Sequence, residues 1–234
     1  TSVFTPQTGN FSFRPGPVFS NIILIDEINR SPAKTQAALF EVMEEKQITI
    51  DGFTHIMSLP FMVLGTQNPV EHEGTYRLPE AQLDRFLFKI EIKYPSPEEE
   101  INILQKIHSY KEDLNVHQIY KVLTSGEIMA FRKQVKALHI EPKLIDFIVK
   151  MVYETRNNPS VYLGASPRAS IAIMNSAKAL AAMQGRDFVT PEDIIEAAPP
   201  VLRHRIELTP EREMEGITAD EVINAILKKI EVPR

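Results

Sequence analysis

The fold class is decided by one stretch of the sequence, Ile22-Ile23-Leu24-Ile25-Asp26-Glu27. Its four apolar residues form a continuous run, which is typical of a strand buried on both faces of a parallel sheet. Asp26 and Glu27 follow directly, at the strand end where α/β sheets bind their ligands. There, one carboxylate can face a metal ion and the other a water molecule. The alternative is a pair that only caps the strand before a helix, and a dipeptide taken alone favours this alternative.

A second apolar run, residues 61–64, predicts another buried strand, and Asn68 lies just beyond its end. Because strand ends of one parallel sheet lie side by side, we expect Asn68 next to Glu27, where its amide would orient a water molecule. Asn68 also precedes Pro69, so turn formation is the alternative for this residue.

Two arginines have positions that need an explanation. Arg85 stands before the apolar run 86–88 and requires a partner, which is either a local carboxylate such as Asp84 or a phosphate. Arginine stabilises charge on a transferring phosphoryl group and can be supplied in trans. Arg168 follows Ser166-Pro167 at the predicted start of a long helix, where the helix dipole favours an anion over a cation. A guanidinium beside free backbone N–H groups would suit a phosphate.

A change of composition near residue 95 predicts two domains. Before it, strands and helices alternate, with β-hairpins predicted over residues 1–20 and 47–58, a helix N-cap at Ser31, a short helix over 79–85 and a strand-like run over 86–94. After it, a capping box at Ser96 opens a series of helical patterns. These patterns cover residues 98–110, 125–137, 142–157, 167–184, 191–198 and 218–230. We expect an α/β core over residues 1–95 and a helical domain over residues 96–234.

Composition excludes several classes of protein. The 234 residues carry a net charge of -5, which gives no electrostatic case for nucleic acid as the main partner, although a local basic patch is not excluded. Arg203, His204 and Arg205 form a basic cluster for which a solvated face is expected. There are no cysteines, no HExxH or Gly-x-Ser-x-Gly motif, and no apolar run of the roughly 20 residues that span a bilayer. The start of the chain is no signal peptide and has no initiator Met, so we expect a fragment of a longer, cytoplasmic polypeptide.

Taken together and in order, these segments resemble the MoxR family of AAA+ ATPases. Residues 22–30 resemble a Walker B strand, residues 63–69 a sensor 1 strand, residues 73–76 and 78–86 the arginine-finger region, residues 166–169 the sensor 2 motif, and residues 201–205 the end of the lid. The hairpins at 1–20 and 47–58 resemble the helix-2 insert and the pre-sensor-1 hairpin. Each piece alone has low specificity, but the ordered set covers nearly the whole chain.

The resemblance implies a role for each candidate residue. Asp26 would hold Mg²⁺ through water, Glu27 would polarise the attacking water, and Asn68 would place that water against the γ-phosphate of ATP. Arg85 would reach into the site of the neighbouring subunit, and Arg168 would touch the nucleotide from the lid.

The resemblance also implies partners. ATP would lie between the subunits of a homo-oligomeric ring, usually a hexamer. Members of the family are thought to remodel or mature client proteins in a chaperone-like manner, often with von Willebrand factor A-domain proteins and sometimes in metal insertion. The alternative function is a non-enzymatic assembly module that uses the same fold to hold a partner protein. A third possibility, action on DNA, is disfavoured by the acidic balance.

One departure from the family pattern concerns the phosphate-binding loop. The nine glycines include no Gly-Lys pair, so the motif GxxxxGK[ST], which supplies the phosphate cradle, is absent from the 234 residues. In the family this loop lies upstream of the position where the sequence starts. We expect the chain by itself to bind ATP poorly and to be inactive alone, and the full-length protein to bind it well.

Overall fold

The computed structural model describes residues 2–5, 9–50, 52–68, 78–109 and 120–233, with the backbone only for residues 2–5 and 10–12. Its strands are β1 (Ser2–Thr5), β2 (Asn10–Phe13), β3 (Ile22–Ile25), β4 (Gln47–Ile50), β5 (Phe53–Ile56), β6 (Met62–Gly65), β7 (Val161–Leu163) and β8 (Glu207–Leu208). Its helices are α1 (Ala33–Glu45), α2 (Glu80–Leu83), α3 (Pro97–Ser109), α4 (Ser125–Ala137), α5 (Pro142–Asn157), α6 (Pro167–Met183), α7 (Pro191–Leu202), α8 (Pro210–Met214) and α9 (Ala219–Lys229). Pro69 and the segment 73–76, which the sequence analysis singled out, lie outside the described residues.

The central sheet pairs β3 with β6 in parallel, with Ile25 opposite Gly65. This register brings the residues after the two strands to one edge, as the sequence predicts. The expected burial on both faces is wrong, because Ile22 is 60% exposed and Leu24 is 67% exposed. Within the described residues this sheet has only two strands, and a sheet this narrow buries only the face that packs on its own core.

The two predicted hairpins are present. β1 and β2 pair antiparallel, as do β4 and β5. Gly9 and Gly52 have φ angles of 67° and 81° in the connecting turns, a conformation that residues with a Cβ rarely adopt. The hairpins are linked by aromatic packing, because the ring of His55 stacks on that of Phe13 at a centroid distance of 4.1 Å.

A small core fixes α1 and α2 against the end of β3. Ile28, Phe40 and Leu78 are almost fully buried there, with the partly buried Leu83 and Phe86 packed against them. α1 begins one residue later than predicted: Pro32, and not Ser31, occupies the N-cap position, and no side chain caps this end. The core places the last turn of α1 beside the residues that follow α2.

The run 86–94 is not a strand. It has no partner strand among the described residues, and the side chains of Ile92 and Tyr94 are 93% and 99% exposed. Its beginning is held by hydrogen bonds to the end of α7, such as the one that the Lys89 N–H donates to the Pro200 carbonyl at 2.9 Å. A strand forms only where a second strand offers a ladder, and here the partner is a helix end.

The helical predictions for the second half of the chain agree closely with the observed helices. The capping box of Ser96 with Glu99 is confirmed by two hydrogen bonds of 2.8 and 3.3 Å. α7 runs beyond the predicted end at residue 198, through Pro199 and Pro200, to Leu202. The short β7–β8 pair and α8 were not predicted. The buried faces of α5, α6, α7 and α9 share one hydrophobic core.

Candidate functional site

Thr66 joins the ends of the two central strands. Its hydroxyl donates a hydrogen bond to the Asp26 carboxylate and accepts one from the Glu27 N–H at 2.8 Å. Its backbone N–H donates to the Ile25 carbonyl at 2.9 Å, and its carbonyl accepts from the Ile28 N–H at 3.0 Å. One threonine therefore orients both carboxylate residues. Thr66 was not among the predicted site residues, although its position directly after β6, at the edge predicted to carry the site, is visible in the sequence.

The backbone at Glu27 turns sharply, so that Asp26 and Glu27 have different surroundings. Glu27 has φ 47° and ψ 53°, a left-handed conformation that is uncommon for a residue with a side chain. Its carboxylate pairs with the Nε of Arg30 at 3.0 Å, whereas that of Asp26 contacts Thr66. Such local strain often occurs at functional sites. The two carboxylates thus have separate partners, as two separate roles require.

Asn68 lies two residues beyond Thr66, at the same edge of the sheet. Its backbone carbonyl accepts a hydrogen bond from the amide of Asn29 at 3.5 Å, and Asn29 is itself buried. The structure thus brings the segments of Asp26, Glu27 and Asn68 together, and a hydrogen bond crosses between them.

Arg85 and Arg168 share one carboxylate. Glu44, in the last turn of α1, accepts from Arg85 Nη1 at 2.8 Å with one oxygen and from Arg168 Nη2 at 2.6 Å with the other. Arg85 therefore pairs with Glu44 and not with Asp84, the local carboxylate considered first. Arg168, the cation at the start of α6, has a second acidic partner in Asp84, whose carboxylate lies 3.7 Å from its Nη1.

These side chains line an open cleft of about 280 Å³ between α1, α6 and the residues after α2. Arg85, Arg168 and Arg205 contribute three guanidinium groups to it, and Glu44 and Asp84 contribute two carboxylates. Phosphates bind well to such groups, because guanidinium forks match their oxygens. Within the part of the chain that the structure describes, neither Arg85 nor Arg168 forms an ion pair with Asp26 or Glu27.

The basic cluster Arg203–Arg205 is not the solvated face that the sequence predicted. Arg205 and His204 are only 8% and 9% exposed, and both contact the chain that follows α2. Arg205 Nε pairs with Asp84 at 2.9 Å, and Asp84 also accepts from the Ser166 hydroxyl at 2.9 Å. Charged side chains are buried when ion pairs and hydrogen bonds satisfy them. The partners of Arg205 lie far away in the sequence, so the basic composition of this cluster alone predicts a solvent-exposed surface.

Burial also changes the protonation of this cluster. Desolvation, together with the neighbouring charge of Arg205, lowers the pKa of His204 to about 4, although the hydrogen bond to the Phe86 carbonyl acts in the opposite direction. Desolvation lowers the pKa of Arg205 as well, while its pairing with Asp84 acts in the opposite direction. His204 is therefore neutral at pH 7, with its proton on Nε2, which donates to Phe86.

Comparison with known proteins matches most of the chain to the AAA family and its lid domain, in agreement with the resemblance seen in the sequence. Residues 1–88 match the model of the ATPase family associated with various cellular activities (AAA), and residues 153–226 match the AAA lid domain. The chain is 44% identical to the uncharacterized protein YeaC of Bacillus subtilis, over 99% of this chain and 72% of YeaC. It is 42% identical to the chaperone MoxR1 of Mycobacterium tuberculosis, over 100% of this chain and 63% of MoxR1.

The chain belongs to the MoxR-type AAA+ ATPases. A crystal structure of a protein from Cytophaga hutchinsonii that is assigned as an ATPase superposes with a TM-score of 0.90 at 41% identity, over all of this chain and 73% of that one. The predicted family and the predicted fold class, an AAA+ core with a parallel sheet and hairpin inserts followed by a helical lid, are thereby confirmed.

The residues of this MoxR-type chain could supply some of the contacts that a complex of Mg²⁺ with a nucleotide requires. Mg²⁺ is commonly held by one or two carboxylates, with waters and phosphates completing the shell, and the exposed carboxylate of Asp26 suits that arrangement. Among the described residues no group of three acidic or histidine side chains is placed to hold a metal by itself. No helix in the same part of the chain is long and apolar enough to cross a membrane.

Proposed function

We propose that the full-length protein hydrolyses ATP and uses this energy to remodel or mature a client protein. The observation that carries the proposal is the Thr66 junction, which fixes Asp26 and Glu27 at the carboxyl edge of the β3–β6 sheet. Catalysis of phosphoryl transfer is largely a matter of positioning and charge stabilisation. A hydroxyl that binds the Asp26 carboxylate and the Glu27 backbone N–H contributes to this positioning.

The proposed roles of the edge residues follow from their contacts. Asp26 would hold Mg²⁺ through water and so bring positive charge to the phosphates. Glu27 would accept a hydrogen bond from the attacking water at a carboxylate oxygen, after release from Arg30. Asn68 would hold the same water from the adjacent strand end.

The two arginines of the cleft would stabilise the negative charge of the phosphates. Arg168, at the start of α6, would contact the nucleotide of its own subunit, and Arg85 would contact the nucleotide of the neighbour. Both share Glu44 in this structure. Each arginine would therefore exchange its contact with Glu44 for phosphate oxygens when the site is filled.

The same proposal covers the organisation of the complete protein. It includes a core over residues 1–95, a lid over residues 96–234, a homo-oligomeric ring, a hexamer in the usual family form, and a cytoplasmic location. The client would be a protein, with a von Willebrand factor A-domain protein as one candidate, and capture of the client would depend on ATP. The 234 residues by themselves would turn over little or no ATP, because they contain no GxxxxGK[ST] motif.

The direct test is Glu27→Gln in the full-length protein. The amide keeps the size of the side chain but removes the charge that orients the water, so turnover should fall by about 10² to 10⁴-fold, as for loss of a general base. ATP binding, measured by fluorescence of a labelled nucleotide, should remain. Glu41→Gln, at an exposed position of α1, serves as the matched control and should keep the full rate.

If Glu27→Gln retains its rate, the role given to Glu27 is wrong. If the unmodified protein binds ATP without hydrolysing it, and captures a partner protein equally with and without ATP, the assembly-module function takes the place of the enzyme.

A further inference from the structure

We propose that the lid clasp, which we define as Arg203, His204 and Arg205, positions Arg85 for its action in the neighbouring subunit. The lid would then determine the direction in which the Arg85 side chain extends toward the neighbouring subunit. The inference rests on the proposed function, because it concerns the residue that completes the neighbour's site.

Every N–H group of the Arg205 guanidinium has an acceptor, and most of the acceptors lie around Arg85. A guanidinium has five N–H donors in a fixed planar fork. Nε donates to the Asp84 carboxylate at 2.9 Å, and Nη2 donates to the Asp84 carbonyl at 2.9 Å and to the Phe86 carbonyl. Nη1 donates to the Leu87 carbonyl at 3.1 Å and to the Val201 carbonyl near the end of α7.

The carbonyls held by Arg205 belong to the residues on both sides of Arg85. Asp84 and Phe86 flank it directly, and the hydrogen bonds to their carbonyl groups fix the planes of the Asp84–Arg85 and Phe86–Leu87 peptide bonds. The direction in which the Arg85 side chain leaves the backbone is therefore determined by the lid. An apolar contact would hold the segment nearby but would not fix its peptide planes.

The other two residues of the lid clasp extend the contact along the chain. His204 Nε2 donates to the Phe86 carbonyl at 3.0 Å, and Arg203 Nη1 donates to the Lys89 carbonyl at 3.2 Å. Arg203 is itself held by Asp220 of α9 through a pair of contacts at 2.9 and 3.0 Å. Residues 84–89 are thus bound to a part of the lid that is rigidly packed.

Asp84 connects the lid clasp to the start of α6. One carboxylate oxygen accepts from Arg205 and the other accepts from the Ser166 hydroxyl, which also caps α6. Arg168 lies two residues after Ser166. A rotation of the lid would therefore carry Arg85 and Arg168 together, and a lid that responds to the nucleotide of its own subunit would move the arginine offered to the next one.

Arg205→Lys in the full-length protein tests this inference. Lysine keeps the charge but has a single ammonium on a flexible stem, so it cannot hold four acceptors of residues 84–87 at once. We expect kcat to fall by about 10 to 100-fold, the scale of a misplaced catalytic group, with KM for ATP changed by less than about twofold. Arg186→Lys is the matched control, because Arg186 is a paired lid arginine that contacts Asp193 and none of residues 84–89.

Mixed rings separate positioning in trans from a structural effect on the same subunit. A subunit with Glu27→Gln has an inactive site but an intact Arg85, and a subunit with Arg205→Lys has the opposite defects. In a 1:1 mixture about a quarter of the wild-type rate should return, because random assembly joins an intact site to an intact Arg85 at one interface in four. If Arg205 serves only its own subunit, no interface is complete and the rate per subunit stays at the mean of the two separate variants.

Hydrogen exchange gives a readout that does not require activity. The peptide over residues 84–89 should exchange at least about tenfold faster in Arg205→Lys than in wild type, and at the wild-type rate in Arg186→Lys. Equal protection of this peptide in all three proteins would overturn the inference. Should Arg205→Lys fail to fold, Arg203→Lys takes its place with a smaller change in the same direction.

The failure of this inference and the failure of the proposed function give different results. A mixture of Arg85→Ala with Glu27→Gln that regains no activity shows that sites are not shared, and the proposed function is then at fault. If that mixture regains activity while the mixture of Arg205→Lys with Glu27→Gln does not, only the role of the lid clasp is wrong.

Discussion

His204 makes the stability of the protein depend on pH in a defined window. The imidazole is buried against the Phe86 carbonyl, and desolvation, together with the charge of Arg205, lowers its pKa from 6.5 to about 4. Nδ1 is buried without a partner among the described residues, so a second proton on the ring would have no acceptor. The unfolded chain accepts that proton near pH 6.5, whereas the folded chain does so only near pH 4.

The magnitude follows from the two pKa values. Where the unfolded state binds more protons than the folded state, the free energy of unfolding rises with pH. The contribution of His204 is therefore complete above pH 6.5 and is lost as the pH falls toward 4, by about 3 kcal/mol in total. At pH 5 the loss amounts to about 2 kcal/mol, which corresponds to a fall in melting temperature of roughly 4–8 °C for a chain of this size.

The assay compares urea unfolding of wild type and His204→Gln at pH 5 and pH 7.5. Glutamine can donate to the Phe86 carbonyl but does not titrate, so the variant should lose about 2 kcal/mol less than wild type between the two pH values. His139→Gln removes a histidine whose side chain is 65% exposed and should follow the wild-type profile. Parallel profiles for wild type and His204→Gln would refute the burial of a neutral imidazole at the lid clasp.

Further predictions concern the glycines and the strand junction. Gly164→Ala should destabilise the protein by about 1–3 kcal/mol, because an added Cβ would lie 2.6 Å from the Arg156 Cα. Gly126→Ala, in α4, should instead stabilise it by up to about 1 kcal/mol, because the added Cβ would meet only the Thr124 Oγ1, at 3.9 Å. Thermal unfolding of both variants measures the difference, and equal melting temperatures would contradict the packing at Gly164. In the full-length protein, Thr66→Val should lower the ATPase rate by at least about tenfold, because valine has no hydroxyl for Asp26, and Thr66→Ser should keep most of it. A Val variant as active as the Ser variant would show that the hydroxyl is dispensable.

Local patterns predicted most of the secondary structure. The Ser96 capping box and the Gly52 turn depend on a few neighbouring residues, whose chemistry is visible in the sequence. The run 86–94 could not be assigned in this way. A strand-like pattern becomes a strand only if a partner lies alongside, and the partner of this segment is a helix end more than a hundred residues away.

The candidate site shows the same limit. Asp26 and Asn68 could be predicted at one edge because parallel strands place their ends together. The sequence could not predict that two arginines share Glu44 or that Arg205 is buried, because each of these features depends on contacts between segments far apart in the chain. A charged residue at the end of a helix looks the same in the sequence whether it faces water or a carboxylate.

Hydrolysis of ATP at sites shared between subunits can be tested by measuring the ATPase rate per subunit as a function of protein concentration. Full-length wild type is measured with Mg²⁺ and ATP beside Arg85→Ala and the exposed control Arg132→Ala. Sharing of sites predicts a rate per subunit that rises with concentration to a plateau, is unchanged in Arg132→Ala and is about 10³-fold lower or more in Arg85→Ala. A rate per subunit that is independent of concentration and insensitive to Arg85→Ala would contradict it.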